Sequence, residues 1–283
     1  MGAKLFPSTI GPRHDRFYVD AEVPVPPDVF GPRMDKQGYM RNWTMFQRAP
    51  DGAARYKGKT IPMTVRSYNR LVSSVDEGVG ELIRALAETG QLENTLIVFT
   101  SDQGYAWGEH GFAWKVGPYD ACLRMPLILS LPGRVARGAV CRQPVGIVDL
   151  APTILGFAGV PLPWEMHGHD LRPLLNEPDK PVKHPLLTEH FGIRFGTETD
   201  RGETGADDLR GVPWWLSLRQ GRYKYVRYLV PDKIEELYDL ATDPAELKNI
   251  ALDPAQRPVL EDCREQLHGE LKRTKAGLLD TLH

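Results

Sequence analysis

Apolar residues recur at helical spacing over one long stretch in the first third of the chain. Between residues 65 and 89 they are separated mostly by three or four positions, a spacing that places them on one face of a helix. Gly90 follows directly and is a plausible stop, since glycine tolerates the left-handed backbone that ends many helices. The pattern therefore predicts an amphipathic helix packed on a sheet. Its apolar positions are Val65, Tyr68, Leu71, Val72, Val75, Val79, Leu82, Ile83 and Leu86.

Two short apolar runs beyond this helix are typical of buried strands. Residues 96–100 are rich in β-branched and aromatic side chains and end abruptly at a polar stretch. Residues 123–131 form a second apolar run, which Pro132 and Gly133 close. Runs of this length, bounded by turn residues, predict two strands in the interior of a sheet.

Two other stretches of the chain lack this regularity. Prolines interrupt residues 1–64 and predict irregular structure. Residues 176–212 are rich in Pro, Gly, Asp and Glu, and predict a long connection. The remainder predicts a small antiparallel unit of short strands near residues 214–219, 223–228 and 236–240, followed by a closing helix over residues 258–275.

Composition narrows the class of protein without naming a function. The hydrophobic content of 41% and the charged content of 25% are ordinary for a soluble globular protein. The formal net charge of −2 gives no reason to expect attraction to nucleic acid or to an anionic membrane. No run approaches the roughly 18 apolar residues of a transmembrane helix. We expect a soluble protein with neither partner, and its compartment (cytoplasmic, periplasmic or secreted) stays open.

The three cysteines carry little information. Cys122, Cys141 and Cys263 are too few and too scattered for a disulfide framework, and none has metal-ligand spacing. We expect buried or idle thiols.

Candidate chemistry is concentrated directly after the first predicted strand. Asp102 and Gln103 follow it, and ligands in open α/β sheets bind beyond the carboxyl ends of strands. Carboxylate and amide oxygens suit Ca²⁺ or Mg²⁺. Lys115 lies in a loop rich in glycine and aromatic residues, from which its point charge could reach an anionic group. A simple turn is the alternative interpretation, because Asp and Gly are common turn residues.

The surrounding motifs resemble the second half of a type I, formylglycine-dependent sulfatase of the alkaline-phosphatase-like superfamily. They are TSDQG at 100–104, GEHG at 108–111, Lys115, and LRMPLI at 123–128, in that order. A further match is the segment LYDL at 237–240 with Asp, Pro, Glu and Asn at spaced positions up to residue 249. The number and order of these matches make the resemblance far more specific than an Asp-Gln pair alone.

The resemblance implies a fold and a set of residue roles. It implies an α/β fold: a partial alkaline-phosphatase-like sandwich over residues 1–175, with a mixed sheet flanked by helices, and a small antiparallel α+β subdomain over residues 176–283. Asp102 and Gln103 would form part of a Ca²⁺ site. Lys115 would contact the sulfate, and His110 would approach the substrate as a second catalytic residue.

The resemblance also implies that part of the active site is missing. Sulfatases attack with a formylglycine made within a Cys/Ser-x-Pro-x-Arg motif, and none of the three cysteines has proline two positions later. We expect the chain to hold no version of this motif and to be truncated and inactive alone. Its partner would be the missing N-terminal half, or a second copy through self-association. The substrate would be a sulfate ester of a carbohydrate or a small alkyl group.

Several alternatives stay open. The chain could belong to a phosphomonoester or phosphonate hydrolase of the same superfamily, or be a non-catalytic remnant. His167 and His169 invite a metal site, but two histidines without a third ligand make a weak case. His14 is expected to be an exposed loop histidine. The pair Asp207 and Asp208 is rejected as a metal site, since no apolar strand precedes it.

Overall fold

Helices and antiparallel sheets alternate along the part of the chain that the structure, a computed structural model, describes. That part comprises residues 11–36, 38–191, 212–229 and 234–277. The predicted mixed α/β class is confirmed. The helices are α1 (Gly38–Asn42), α2 (Ile61–Glu88), α3 (Asp120–Leu123), α4 (Leu150–Ala158), α5 (Arg172–Asn176) and α6 (Arg257–Arg273).

The strands form three separate sheets. Each sheet is antiparallel throughout, with the strand orders β1-β2-β3, β4-β5 and β6-β7-β8-β9. The strands are β1 (Gln47–Arg48), β2 (Ala54–Tyr56), β3 (Lys59–Thr60), β4 (Ile97–Thr100), β5 (Leu127–Ser130), β6 (Leu186–His190), β7 (Trp215–Gln220), β8 (Tyr223–Tyr228) and β9 (Glu236–Asp239).

Helix α2 is the long amphipathic helix that the apolar spacing predicts. It begins four residues earlier than predicted because Thr60 caps it, accepting a hydrogen bond from the Met63 backbone N–H, and Pro62 fits the first turn. It ends beside Gly90, whose φ of 69° is the left-handed stop expected there. Ile61 is its one fully buried residue among those described, so its apolar face is not covered by the predicted sheet.

The pair β4–β5 confirms the two predicted strands with one change of boundary. Thr100 lies opposite Leu127, and Ile97 lies opposite Ser130. The second strand begins at Leu127 rather than at residue 123, because residue 123 is the last of α3 and three non-helical residues follow it. Pro126 lies directly before the strand and cannot extend it, since proline has no N–H to donate to a ladder.

The C-terminal sheet contains a strand that the sequence analysis did not predict. Strand β6 lies within residues 176–212, which were expected to be a connection, and it pairs with β7 along its whole length. Its apolar Leu186 and Leu187 gave too short a run to stand out beside Pro185. Strands β7, β8 and β9 and helix α6 agree with the prediction.

Two apolar clusters enclose this sheet. One joins Trp215, Val226 and Tyr238 to side chains of the loop that precedes β5, including Tyr119. The other packs the sheet against α6, which contributes Leu260, Cys263, Leu267 and Leu271. Burial raises the pKa of the Cys122 thiol to about 12 and that of Cys263 to about 11, in accord with two of the predicted idle thiols.

A buried polar cluster ties the N-terminal segment to the C-terminal sheet. The Lys36 ammonium donates to the Tyr238 hydroxyl and to the Glu246 carbonyl oxygen, both at 2.7 Å. The Tyr238 hydroxyl in turn donates to Glu236 at 2.5 Å. Lys36 is 1% exposed, and its burial lowers its pKa. Segments about 200 residues apart therefore share one interior. The division at residues 175/176 stays a prediction.

A second buried lysine belongs to the same interior. Lys224 lies 2.8 Å from Asp120 and 2.7 Å from Glu246. Burial alone would lower the pKa of Lys224, but these two carboxylates raise it. The loop that carries Asp120 is thus fixed to the C-terminal sheet by a buried lysine, while the Asp120 side chain itself is 25% exposed.

No helix within the described residues combines the length and the apolar character that crossing a bilayer requires.

Candidate functional site

The site forms where β4 ends. The Thr100 hydroxyl donates to the Pro126 carbonyl at 2.9 Å, which closes the strand end. One oxygen of Asp102 accepts the Gln103 backbone N–H at 2.9 Å and the Ser101 hydroxyl at 3.2 Å. Gly104 must be glycine, because a Cβ there would lie 2.7 Å from a backbone oxygen of the facing loop. The turn therefore fixes the carboxylate at the strand's carboxyl end.

Lys115 reaches this carboxylate from the loop that follows. Its ammonium lies 3.0 Å from the second oxygen of Asp102. The Asp102 side chain is 69% exposed and the Lys115 side chain 30%, so the pair faces solvent. The hydrogen bond from Lys115 lowers the pKa of Asp102. The two predicted site residues are thus brought together, and Gln103 is adjacent to them.

The same donor set can be tested for its fit to Ca²⁺. A carboxylate and a carboxamide are the oxygen ligands that Ca²⁺ prefers, but the ion takes about 6–8 of them. Among the described residues, no group of three or more His, Cys, Asp or Glu is placed to hold a metal ion. Asp102 and Gln103 fit one side of a Ca²⁺ site, and the other ligands would have to come from elsewhere.

The loop between Gln103 and Lys115 folds back on itself. Ala106 donates to the Trp114 carbonyl at 2.9 Å, and Gly108 donates to the Phe112 carbonyl at 2.8 Å. Gly108 has a φ of 125° and lies so close to Ile61 that a Cβ would come within 2.6 Å of it. This glycine anchors the loop on the start of α2, and Lys115 stands at the loop's end.

His110 lies inside this loop and is 1% exposed. Its ring Nδ1 is 2.7 Å from an Asp28 oxygen, and its backbone N–H donates to the other Asp28 oxygen at 3.1 Å. Its ring also lies 3.9 Å from the Tyr119 ring. Burial lowers the pKa of His110 to about 4. His110, a predicted catalytic residue, therefore lies in the interior, whereas Asp102 and Lys115 face solvent.

Asp28 supports the loop of the candidate site, and sequence reasoning missed it. It orders the loop through His110, 82 residues away in sequence. It also lies 3.5 Å from the Arg33 guanidinium. No local pattern marks it, because it stands in a proline-rich stretch whose partners are distant in sequence.

The expectation that the chain holds no Cys/Ser-x-Pro-x-Arg motif is wrong. Residues 130–134 read SLPGR, a serine match. Ser130 is the last residue of β5 and pairs with Ile97, at the end of β4 opposite to Asp102. Three residue steps along the strand correspond to about 10 Å. This serine is therefore displaced from the candidate site along the strand.

The histidines outside the site divide into two cases. His14 is 1% exposed and lies 2.7 Å from Glu77 on α2, so the expectation of an exposed loop histidine is wrong. His169 stacks on His184 with ring centroids 3.4 Å apart, an arrangement of two parallel rings. The pair Asp207 and Asp208 lies outside the described residues.

Two family models match the chain. The model described as "Sulfatase" matches residues 14–160, slightly more than half of the chain. The model described as "N-sulphoglucosamine sulphohydrolase, C-terminal" matches residues 108–275. The two matches overlap over the loop that carries Lys115.

Individual proteins show the same similarity. The chain is 34% identical over 187 residues to an N-acetylglucosamine-6-O-sulfatase of Bacteroides thetaiotaomicron, covering 66% of this chain and 32% of that protein. It is 35% identical over 193 residues to a choline-sulfatase of Rhizobium meliloti, covering 67% and 33%. The chain thus spans about a third of the length of these curated relatives.

Solved structures agree on the fold. One, determined in complex with its substrate D-glucosamine-2-N,6-O-disulfate, has a TM-score of 0.66 and 30% identity, and covers 76% of this chain and 42% of its own. The phosphonate monoester hydrolase from Silicibacter pomeroyi has a TM-score of 0.72 and 26% identity, and covers 94% and 53%. The alkaline-phosphatase-like fold predicted above is confirmed by these neighbours.

Proposed function

The chain belongs to the sulfatase family, and from that premise we propose that it carries the sulfate-binding part of a sulfuric ester hydrolase. The observation that supports this most directly is the pairing of Lys115 with Asp102 at the carboxyl end of β4. A cation and a carboxylate held side by side and open to solvent suit an anionic ester and a metal ion together. Residues buried in a structural ion pair would not be so exposed.

In the proposed mechanism the Lys115 ammonium donates to a sulfate oxygen. The charge that develops on the sulfuryl group is then stabilised by a donor that is already in place. Asp102 and Gln103 would hold one side of a Ca²⁺ ion, which supplies further positive charge beside the same group when bound. The nucleophile and the remaining Ca²⁺ ligands would come from a segment outside this sequence.

His110 has a supporting role in this proposal. Its contacts to Asp28 and Tyr119 hold the Gly108–Phe112 turn, and its burial keeps the ring neutral at physiological pH. It would shape the loop from which Lys115 projects rather than touch the ester itself.

The partner we propose is the polypeptide that completes the fold. Helix α2 and strand β5 expose apolar side chains, among them Val75 at 51%, Leu82 at 68% and Ile128 at 59%. Exposed apolar surface of this kind is typical of an interface. An N-terminal half bearing the nucleophile would cover it, and self-association of the chain is the alternative.

The substrate class we propose is a sulfated carbohydrate. Support comes from the similarity to an N-acetylglucosamine-6-O-sulfatase and to the solved structure that was determined with a disulfated glucosamine as its substrate. A small alkyl sulfate is the alternative within this class of reaction, because the choline-sulfatase is equally similar.

A second candidate function is the hydrolysis of a phosphonate or phosphate monoester. The Silicibacter pomeroyi phosphonate monoester hydrolase matches the largest share of the chain among the structures named here. Lys115 and Asp102 would serve a phosphoryl group in the same way, so turnover of paired sulfate and phosphonate esters is needed to separate the two.

The test is calcium titration by calorimetry on the chain alone and on the chain mixed with a formylglycine-bearing N-terminal half. We expect binding at millimolar Ca²⁺ or weaker for the chain alone, because it offers two or three of about 6–8 ligands. We expect tight binding and sulfate ester turnover in the mixture alone.

Two variants make this test specific. Asp102→Asn should weaken Ca²⁺ binding by the mixture, and Lys115→Ala should raise KM for the ester and lower kcat, since its donor acts in both states. Lys57→Ala, which removes an exposed lysine of the β2–β3 turn, is the matched control. Robust turnover by the isolated chain, or an unaffected Lys115→Ala mixture, would contradict the proposal.

A further inference from the structure

The residue after Lys115 has an unusual backbone conformation. Val116 has a φ of 75°, in the left-handed region. A β-branched side chain at positive φ is a genuine outlier, and such residues persist only where surrounding contacts hold them. The backbone that aims Lys115 is therefore held by something outside the loop.

One such contact is a hydrogen bond from the C-terminal sheet. The indole N–H of Trp215, on β7, donates to the Val116 carbonyl oxygen at 2.9 Å. Trp215 is 1% exposed, and a buried indole N–H needs an acceptor. The bond joins residues 99 positions apart in sequence.

The far end of the same short loop is fixed by the same sheet. The Asp120 backbone N–H donates to Glu246 at 2.6 Å, and the Asp120 carboxylate receives the buried Lys224 ammonium. Between the two anchors Gly117 packs on the Phe112 ring, which a Cβ there would approach to 3.2 Å. The loop is thus held at both ends and has little freedom between them.

We propose that Trp215 is a positioning residue for Lys115, holding the Val116 peptide in the left-handed conformation from which the lysine ammonium reaches Asp102. The role of Lys115 in binding an ester rests on the proposed function. The geometric link from Trp215 to the Lys115–Asp102 contact does not, and it can be measured separately.

The experiment is zero-length crosslinking of the full chain with a carbodiimide, read by mass spectrometry. The reagent joins an amine and a carboxylate in contact as an amide and takes up the water that is lost. The yield of the Lys115–Asp102 crosslink reports their contact directly. The exposed pair Lys275 and Glu165, which also lie in contact, is the internal reference.

Trp215→Phe keeps an aromatic ring and removes the N–H donor. We expect the yield of Lys115–Asp102 relative to the reference to fall, because losing one net hydrogen bond lowers the ratio of held to released loop conformers about fivefold. Trp214→Phe is the matched control, because that ring packs edge-on against Phe191. In Trp214→Phe the Lys115–Asp102 crosslink yield should stay at the wild-type value. An unchanged yield in Trp215→Phe, or an equal loss in Trp214→Phe, overturns the proposal.

Relief of the backbone strain gives an independent test. Glycine adopts the left-handed region freely, so in a Val116→Gly background Trp215→Phe should lower the crosslink yield less than in the unmodified chain. An undiminished loss would mean that Trp215 acts in some other way.

If Trp215→Phe fails to fold, hydrogen exchange in the unmodified chain tests the proposal instead. The Trp215 indole N–H should exchange with solvent at least about tenfold more slowly than that of Trp164, which is 68% exposed. Equal exchange rates would overturn the proposal. Loss of ester turnover or of Ca²⁺ binding would bear on the proposed function alone and would leave these geometric results unchanged.

Discussion

The C-terminal sheet and the region around α2 treat their apolar residues in opposite ways. On the sheet, Leu216, Leu218 and Leu237 are completely buried, and α6 covers one face of it. On α2, Val75 and Leu82 are more than half exposed. Both regions have clear amphipathic or alternating patterns, so pattern alone does not separate them.

The difference teaches that a well-formed pattern describes a demand for burial, which the C-terminal sheet satisfies and which α2 beyond its first turn does not. The C-terminal region even buries charged groups and pairs them, as with Lys224 and its two carboxylates. Strand β4, by contrast, has β5 as its single partner within the described residues. An unpaired edge beside an exposed apolar face is a site for another chain.

The largest effect is expected from Lys224→Met in the C-terminal region. The substitution keeps the length of the side chain but leaves the buried Glu246 carboxylate without its cation, whereas the part-exposed Asp120 still lies 3.3 Å from Arg219. Removal of one partner of a buried pair typically costs about 3–5 kcal/mol of unfolding free energy. Urea denaturation measures it.

Lys275→Met is the control, since it removes a lysine from an exposed pair, and we expect no measurable change. A Lys224→Met chain as stable as the wild type would show that the C-terminal interior tolerates unpaired charge. The C-terminal sheet would then not differ from the α2 region in its demand for pairing.

The next effect is a pH dependence that arises from His110. Its pKa is about 4 in the folded chain against an ordinary value of 6.5, so the unfolded state binds a proton that the folded state does not. The contribution of His110 to the unfolding free energy is therefore fully present above pH 6.5 and is lost as the pH decreases toward 4. The total loss is about 3 kcal/mol, from 1.36 kcal/mol for each unit of pKa difference.

Chemical denaturation at several pH values measures this slope. His110→Gln should flatten it between pH 6.5 and 4, whatever its cost at neutral pH. His268→Gln, at an exposed position on α6, should leave the slope unchanged. A slope that persists in His110→Gln would assign the dependence to another group.

A smaller effect is expected at the start of α2. Thr60→Ala removes the side-chain oxygen that accepts the Met63 N–H, and loss of such a cap costs about 1 kcal/mol. Thermal unfolding followed by circular dichroism measures it. Ser67→Ala, within the same helix, should be close to neutral, because its hydroxyl bonds only back to the preceding turn. Equal effects would show that the cap does not determine where α2 begins.

The smallest effect on stability is expected on the exposed face of α2. Leu82→Glu should change the unfolding free energy by less than about 0.5 kcal/mol, as for other surface positions. It should nevertheless weaken self-association or binding of an N-terminal half, measured by light scattering. Leu267→Glu, at a buried position of α6, should unfold the chain. If Leu82→Glu also unfolds it, α2 is covered within the chain itself and the comparison fails.

The parts of the fold that could be predicted from sequence are those that local patterns encode. Helix α2 has an apolar periodicity, and strand β4 a continuous apolar run, that each predict the element directly. Strand β6 was missed because two leucines between polar residues do not form a pattern, and it is the pairing with β7 that makes them a strand.

The site divides in the same way. Asp102 and Lys115 could be named from their spacing and from the resemblance to sulfatases, and the structure places them in contact. The partners of His110 and Val116 could not, because Asp28 and Trp215 lie 82 and 99 residues away in sequence. Contacts at that separation depend on the whole fold.

The buried polar cluster around Lys36 also limits when this part of the fold can form during synthesis. Lys36 donates to Glu246, 210 residues further along the chain. At about 5–20 residues per second, a ribosome needs about 10–40 s to extend the chain that far. During this interval Met40, which shares a buried cluster with Trp215 and Tyr238 in the finished fold, has not yet met the C-terminal sheet. The buried contacts of Lys36 can therefore form only after the residues up to Glu246 have been made.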